Sequence, residues 1–261
     1  MAGFALLWAF VLAYLVRPAG SLDAALGGRG DGVGTLVLAA AQRFELEALL
    51  VWPSAQLAAG WVAALYLLPV VALTAAVDQI ASDRARGTLR YLVLRASRTE
   101  ICLGRWLGQA LVQAALVLAA LGSTLALVAL DAPAHLASSL AVAAPAALAL
   151  WLSLLPWVGL ASLVSALAPS ARRATLLALV AWLALSWFAS VGARLIEGDS
   201  PTGEGWRAAA GAALEYLVPG AAVGALLRAP AEATPLAALP ALVQALALVA
   251  LAALVLRRRA L

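Results

Sequence analysis

The chain has 261 residues, of which 65% are hydrophobic and 11% charged, and its formal net charge at neutral pH is +4. Its mean hydropathy of +1.00 lies far outside the usage of soluble globular domains and indicates an integral membrane protein. Apolar runs approach the roughly 20 residues that a helix needs to cross a bilayer, and they recur along the whole sequence. This repetition excludes a single anchor on a soluble domain.

Six membrane-spanning helices are predicted from these runs, at residues 1–16, 57–77, 106–130, 139–164, 174–193 and 236–256. The first begins at the initiator methionine without a basic n-region or a small-residue cleavage site, so we do not expect a cleaved signal peptide. The fourth contains Pro145 and Pro156, which predict a kink. The whole chain, 1–261, is expected to form one all-α, polytopic transmembrane domain.

Two further stretches are hydrophobic but interrupted by charge. "TLVLAAAQRFELEALLVW" lies in the loop 17–56, and "AAAGAALEYLVPGAAVGALL" lies in the loop 194–235. A charge near the centre of a span costs several kcal/mol at least, so we interpret both stretches as interfacial or re-entrant helices.

The distribution of arginine predicts the orientation. With six crossings, the segments 78–105, 165–173 and 257–261 share one side of the membrane, and they hold most of the arginines. The positive-inside rule assigns this side to the cytoplasm. Both termini are therefore expected to be cytoplasmic, and 78–105 is the principal cytoplasmic loop.

The loop contains "DRARGTLRYLVLRASRTE", in which turn and cap signals alternate with apolar residues. Gly87 suits a helix C-terminus and Thr88 suits an N-cap, so the second helix is expected to end near Arg86. "SRTE", Ser97 to Glu100, has the form of a capping box that starts the third helix. A short helix is predicted between these two breaks.

Three interpretations of this short helix remain open. Its arginines would bind anionic lipid if they only set the topology. Nucleic-acid binding is disfavoured because the patch is a single short helix without an aromatic platform. In the third interpretation the helix docks on a cytoplasmic partner, with Leu89, Leu92 and Val93 on its apolar face.

The types of reactive residue exclude several functions. All 17 basic residues are arginine, which indicates a GC-rich bacterial genome, and P-loop and protein-kinase sites both require a lysine. Any ATP must therefore be hydrolysed by a partner. Cys102 and His135 are the only residues of their types, which excludes intramolecular disulfides and Cys/His metal clusters. We predict no metal, no cofactor and no enzymatic activity in this chain, and we expect Cys102 to be a packing residue.

The stretch "DRARGTLRYLVLRASRTEICLGRWLG" resembles the signature loop of ABC-2 type transporter permeases, a family that includes nitrous-oxide-reductase maturation, gliding and drug-export branches. Two features depart from the family pattern. Arg95-Ala96 replaces the usual proline before the Ser-Arg pair, and the chain opens directly at the first span, without the amphipathic cytoplasmic helix that normally precedes it. The matching residues are Asp83, Arg84, Gly87 and Thr88 in the first part of the motif, Ser97 and Arg98 in the second, and Gly104, Arg105, Leu107 and Gly108 in the third.

The resemblance implies a type V exporter-like permease fold in the bacterial cytoplasmic membrane. It implies two permease copies and a separate ABC ATPase, which would hold ATP and Mg²⁺. Leu89, Leu92 and Val93 would insert into the ATPase, while Gly87 would act as a hinge. Arg84, Arg86 and Arg90 would pair with acids of the ATPase. The residues assigned to coupling are Asp83, Arg84, Arg86, Gly87, Thr88, Leu89, Arg90, Leu92, Val93, Ser97 and Arg98.

The substrate is less constrained. The spans contain almost no ionisable residues, which disfavours proton- or sodium-coupled transport. In the resembled family the second and fifth spans approach the dimer axis, so polar and aromatic residues there are candidates to line a passage for a lipid-like or amphiphilic molecule. Helix packing or an interfacial belt explains the same spacing, and we favour that interpretation. The candidates are Trp61, Tyr66, Trp182, Ser186 and Ser190.

The alternative function is a non-transporting membrane scaffold or assembly subunit whose cytoplasmic loop binds lipid. The predicted outer loops, 17–56 and 194–235, hold most of the acidic residues. These acids would meet an extracytoplasmic partner or simply form a solvated surface.

Overall fold

The computed structural model of the protein describes residues 2–17, 19, 52–196, 219 and 239–258. Within residues 186–196 it describes the helix and the side chain of Trp187. Regular structure in these ranges is helical. The stretches predicted as interfacial or re-entrant helices lie almost entirely outside them.

The helices follow the apolar runs in chain order. The first helix, α1 (Ala2–Val11), continues through a π-helical turn at Leu12–Val16. A turn of 3₁₀ helix, Pro133–His135, joins the fifth helix to the sixth. The others are α2 (Ala55–Ala76), α3 (Gln79–Ala85), α4 (Thr88–Val93), α5 (Arg98–Asp131), α6 (Leu136–Leu167), α7 (Ala171–Ile196) and α8 (Leu239–Arg258).

Four helical stretches of the described chain are long and apolar enough to cross a membrane: Ala55–Ala85, Arg98–Asp131, Pro133–Leu167 and Leu239–Arg258. They coincide with the predicted second, third, fourth and sixth spans. A shorter apolar helix, Gly3–Val16, coincides with the first. The fifth predicted span lies on α7. The all-helical, multi-pass class is therefore confirmed, while the number of six spans and the orientation of the termini stay predictions.

The helix lengths leave room for structure beyond the hydrocarbon. At about 1.5 Å per residue, the 34 residues of α5 extend to about 51 Å, compared with the roughly 30 Å of a bilayer core. α6 is nearly as long and remains helical through Pro145 and Pro156. The ends of both helices can thus carry polar groups into water.

The chain divides into two compact units. The first unit comprises Met1–Val71, Gln113–Trp151 and Gly224–Thr234. Within it α2 and α5 approach closely, because Gly60 faces the side chain of Thr124 without an intervening Cβ. Small residues at such crossings are the usual means of helix association in membranes. The Trp8 indole N–H of α1 donates to Ser123 Oγ of α5 at 2.9 Å.

The second unit comprises Ala72–Val112, Leu152–Val223 and Pro235–Leu261. Here α6 and α8 are in close contact at Gly159, where an added Cβ would lie 3.0 Å from the carbonyl oxygen of Ala245. The Trp106 indole N–H of α5 lies 3.4 Å from the carbonyl oxygen of Leu155 on α6. This unit contains the whole predicted cytoplasmic loop.

Candidate functional site

The predicted short helix exists and is preceded by a sharp bend. α3 ends at Ala85, and Gly87 has φ = 73°, which places it in the left-handed region that favours glycine. The predicted break at Gly87 is therefore confirmed. We call residues 79–95, which comprise α3, the bend and α4, the elbow.

The prediction that Thr88 is an N-cap is wrong. Thr88 is the first residue of α4, and Gly87 occupies the cap position. The Thr88 hydroxyl instead lies 3.1 Å from the carbonyl oxygen of Asp83 and 3.2 Å from its carboxylate Oδ1. Because α3 ends at Ala85 and the chain then bends, the oxygens of Asp83 come within reach of the Thr88 hydroxyl. The hydroxyl thus joins α4 to α3 across the bend.

Asp83 also forms a salt bridge with Arg105 of α5. The Asp83 side chain is largely shielded from solvent at 16% exposure, whereas that of Arg105 is 41% exposed. This pair connects the elbow to the beginning of the third predicted span. Both residues belong to the sequence motif, but their pairing could not be deduced from their spacing.

The C-terminal end of α6 holds the elbow at two points. Ser165 Oγ accepts hydrogen bonds from the backbone N–H groups of Ile80 and Ala81, both at 3.0 Å, and so caps the first turn of α3. In the opposite direction, the Arg84 guanidinium donates to the carbonyl oxygens of Ala168 at 2.9 Å and Ala166 at 3.1 Å. A cation at the C-terminus of a helix is favoured by the helix dipole.

This geometry revises the expected role of Arg84. Sequence analysis assigned it to pair with acids of a partner, yet its two terminal nitrogens bind carbonyl oxygens within its own chain. Arg86 and Arg90 are exposed and suit a partner-facing role better. The contact of Arg84 with the end of α6 could not be recognised from the sequence, because Ala166 and Ala168 follow Arg84 by 82 and 84 residues.

Arg98 performs a similar task at the start of α5. Its guanidinium donates to the carbonyl oxygens of Leu256 and, at 3.2 Å, Arg257 in the last turn of α8. Arg257 in turn donates to Thr99 Oγ1 at 2.9 Å. The two helix ends are therefore tied together.

The predicted capping box is confirmed. The Ser97 backbone N–H donates to Glu100 Oε2 at 2.7 Å, and the Glu100 backbone N–H lies 3.3 Å from Ser97 Oγ. This reciprocal pair satisfies donors that the first turn of α5 would leave unpaired. It fixes where α4 ends and α5 begins.

The apolar residues exposed on α4 and at its C-cap, Leu94, differ from those expected to enter a partner. Leu89 is 2% exposed and packs inside the protein, and Leu92 and Val93 are half-buried. Tyr91 is 74% exposed and Leu94 is 82% exposed. The i, i+3 spacing of these two residues was available from the sequence. However, "LRYLVL" is apolar on most sides, so its pattern could not select the outward face.

These observations agree with a comparison to known families. The sequence model described as ABC-2 family transporter protein matches residues 4–258. The chain belongs to the ABC-2 transporter family. Comparison with curated proteins found no match. Proteins of the ABC-2 family are membrane subunits of ABC transporters, and the ATPase is a separate subunit.

The passage-lining candidates of this ABC-2 chain have different environments. Trp61 is completely buried and its ring centroid lies 5.7 Å from that of Trp52, so it is a packing residue in this structure. Tyr66 is 43% exposed, and Trp182 is half-buried. The side chains of Ser186 and Ser190 lie outside the described residues. Trp61 and Tyr66 are in the first unit, and Trp182 is in the second.

The remaining reactive residue of the ABC-2 chain is Cys102, whose side chain is fully buried on α5. This placement suits the packing role expected for it. Across the described ranges, no group of three or more His, Cys, Asp and Glu side chains could hold a metal ion.

Proposed function

We propose that this ABC-2 protein is the permease subunit of an exporter in the bacterial cytoplasmic membrane, and that a separate ABC ATPase binds its elbow. One observation carries the proposal. The short helix α4 and its C-cap expose Tyr91 and Leu94 beside the exposed cations Arg86 and Arg90. The preceding helix, α3, is bonded to the long apolar helices α5 and α6. An exposed apolar pair flanked by charge suits docking into a groove with an acidic rim.

In this proposal the two faces of α4 have different tasks. Tyr91 and Leu94 enter the groove of the ATPase, and Arg86 and Arg90 orient the contact. Leu89, Leu92 and Val93 form the inner face, which fastens α4 to the permease. The role predicted for the last three residues thus shifts from inserting into the ATPase to transmitting its movement.

The contacts of the elbow suggest how that movement reaches the membrane. A displacement of α4 would act on α3 through Thr88 and on α5 through the Asp83–Arg105 pair. It would also act on α6 through Arg84 and Ser165. Because the contacts of Ile80, Ala81, Asp83 and Arg84 join α3 to α5 and α6, α3 would move with these helix ends as one body. Gly87 would allow the angle between α3 and α4 to change.

The other partners follow from this role. ATP and Mg²⁺ would be held by the ATPase, because the chain contains no lysine for a P-loop. A second permease copy is expected to complete the transporter, and anionic lipid would contact the remaining arginines. The termini and the elbow would be cytoplasmic. A lipid-like or amphiphilic substrate is favoured because the predicted spans contain almost no ionisable residues.

The test is co-purification from native membranes in mild detergent, comparing the wild type with Leu94→Glu and Arg90→Glu. We expect an ABC ATPase to co-elute with the wild type and to be lost from both variants. Arg173→Glu is the matched control, because Arg173 is an exposed arginine outside the elbow. The alternative function, a non-transporting scaffold, predicts that the wild type elutes without an ATPase. Retention of the ATPase by both elbow variants would refute the docking role.

A further inference from the structure

Gln113 lies near the middle of the 34-residue helix α5, far from either end. Its side chain is completely buried, with an exposed fraction of 0%. Within the part of the chain that the structure describes, neither its amide nitrogen nor its amide oxygen has a hydrogen-bond partner. A buried amide without partners is one of the most unfavourable ways to place a polar side chain, and native proteins rarely contain one without a reason.

Two other glutamines, the buried Gln56 and the half-buried Gln109, show what a structural role involves. Gln56 donates through Nε2 to Asp131 Oδ2 at 2.8 Å, and Gln109 Nε2 lies 3.4 Å from the carbonyl oxygen of Ala75. Each of these amides links its helix to another part of the chain through its nitrogen, while its oxygen has no partner among the described residues. Gln113 differs because neither of its amide atoms bonds to any described residue, so a link between helices does not explain its presence.

The burial of Gln113 restricts what could satisfy it. Lipid or a second permease copy on the outer surface cannot contact a side chain with no exposed area. The residues that follow it on the same helix face, Leu116, Val117 and Ala120, are apolar and buried, whereas Gln109, one turn before it, lies with Nε2 3.4 Å from the carbonyl oxygen of Ala75. An amide offers one acceptor and two donor hydrogens but no charge. An amide can bond charged groups as well, but a charge buried among apolar neighbours without a counter-charge is costly. Its complement is therefore an uncharged polar group that arrives when the helices separate.

We propose that Gln113 is a ligand-binding residue, which an open conformation of the bundle exposes and which then hydrogen-bonds the hydroxyl, amide or ester group of an uncharged amphiphile. This inference rests on the proposed transport function and names the chemistry of its substrate. In the closed conformation the unpaired amide disfavours burial, and so it lowers the free energy needed to open the passage. The apolar neighbours contact the hydrocarbon part of the same ligand.

The first experiment measures whether Gln113 becomes accessible. Cys102 is the only cysteine in the sequence, so Cys102→Ala gives a cysteine-free background. Gln113→Cys is introduced into it, and Ala59→Cys serves as control because Ala59 is also 0% exposed. Labelling by a membrane-impermeant maleimide is followed in membranes that contain the ATPase, with and without ATP and vanadate.

We expect nucleotide to accelerate labelling of Gln113→Cys on the order of tenfold, since a minor open state populated at about 10% or less becomes dominant. Labelling of Ala59→Cys should not change. An unlabelled Gln113→Cys in every condition would overturn the inference, whereas co-purification of the ATPase would still support the proposed function. If no ATPase co-purifies with the chain and labelling does not depend on nucleotide, the proposed function itself is refuted.

The second experiment tests the ligand chemistry. Thermal unfolding is measured with 1-hexadecanol and with hexadecane, which differ only in the hydroxyl group. Hexadecanol should raise the Tm of the wild type more than hexadecane does, and Gln113→Leu should abolish this difference. Gln109→Leu is the control and should retain it. A hydroxyl-dependent shift that survives in Gln113→Leu, or that is absent from the wild type, would overturn the assignment.

Discussion

Replacing Gly60 with alanine tests the packing of the first unit. The new methyl group would lie 2.7 Å from Thr124 Oγ1 and 2.8 Å from Thr124 Cγ2, closer than Cβ atoms approach other heavy atoms in real proteins. Thr124 cannot easily rotate away. Its hydroxyl donates to the carbonyl oxygen of Ala120 at 3.0 Å, and a β-branched side chain has few rotamers in a helix. The helices α2 and α5 would have to separate.

We expect Gly60→Ala to lower the stability by about 1–3 kcal/mol, the usual effect of adding a methyl group to a packed core. The assay is thermal unfolding in detergent. Gly122→Ala is the control, because nothing lies within 4 Å of a Cβ at that position on α5. It should be neutral or stabilise by about 0.5–1 kcal/mol, since alanine favours the helix more than glycine does.

A double variant identifies the cause. Thr124→Ala removes both close atoms and leaves only Thr124 Cβ, which would lie 3.3 Å from the new methyl group. Gly60→Ala should therefore be less damaging in a Thr124→Ala background, with a coupling of about 0.5–3 kcal/mol between the two sites. Equal effects in the two backgrounds, or a Gly60→Ala no worse than Gly122→Ala, would refute the reasoning.

Three further predictions concern the elbow. Gly87→Ala should destabilise by about 1–2 kcal/mol in thermal unfolding, because an L-residue is strained at φ = 73° although its Cβ would meet open space, and Gly87→Asn should be milder. Arg84→Ala should lower the free energy of unfolding by about 1.5–3 kcal/mol for each charge-assisted hydrogen bond that it removes, and it should speed hydrogen exchange at the end of α6. Arg173→Ala should have neither effect. Arg105→Asp should uncouple ATP hydrolysis from transport. The double variant Asp83→Arg/Arg105→Asp, which exchanges the two charges, should restore part of the coupling. If it restores none, the role of this pair is contradicted.

The helical architecture was predictable because a membrane restricts the ways in which a chain can satisfy its backbone. Apolar runs of about 20 residues in hydrocarbon must form helices, so the positions of the helices follow from where these runs lie in the sequence. The bend at Gly87 and the capping box at Ser97 were also predictable. Each depends on the conformational or hydrogen-bonding preference of one residue and its nearest neighbours.

The details of the site depend on contacts between distant parts of the chain. Arg84 was expected to face a partner, but the end of α6 supplies carbonyl oxygens that bind it first. Tyr91 and Leu94 are exposed because Leu89 is the side chain that packs inward, and the apolar sequence of α4 did not favour one side. Gln113 was overlooked because the sequence cannot distinguish it from Gln109, which lies in the same apolar run and has a partner for its nitrogen.

The two carbonyl contacts of Arg84 distinguish a position that needs the geometry of arginine from positions that need only a positive charge. We predict that genome composition accounts for arginine at exposed positions such as Arg86 and Arg90, where an ammonium would also supply the positive charge. At position 84 the planar guanidinium reaches Ala166 and Ala168 with different nitrogens, and a lysine point charge does not reproduce that fork. In homologues from lysine-rich genomes, positions 86 and 90 should therefore drift to lysine, while position 84 should remain arginine.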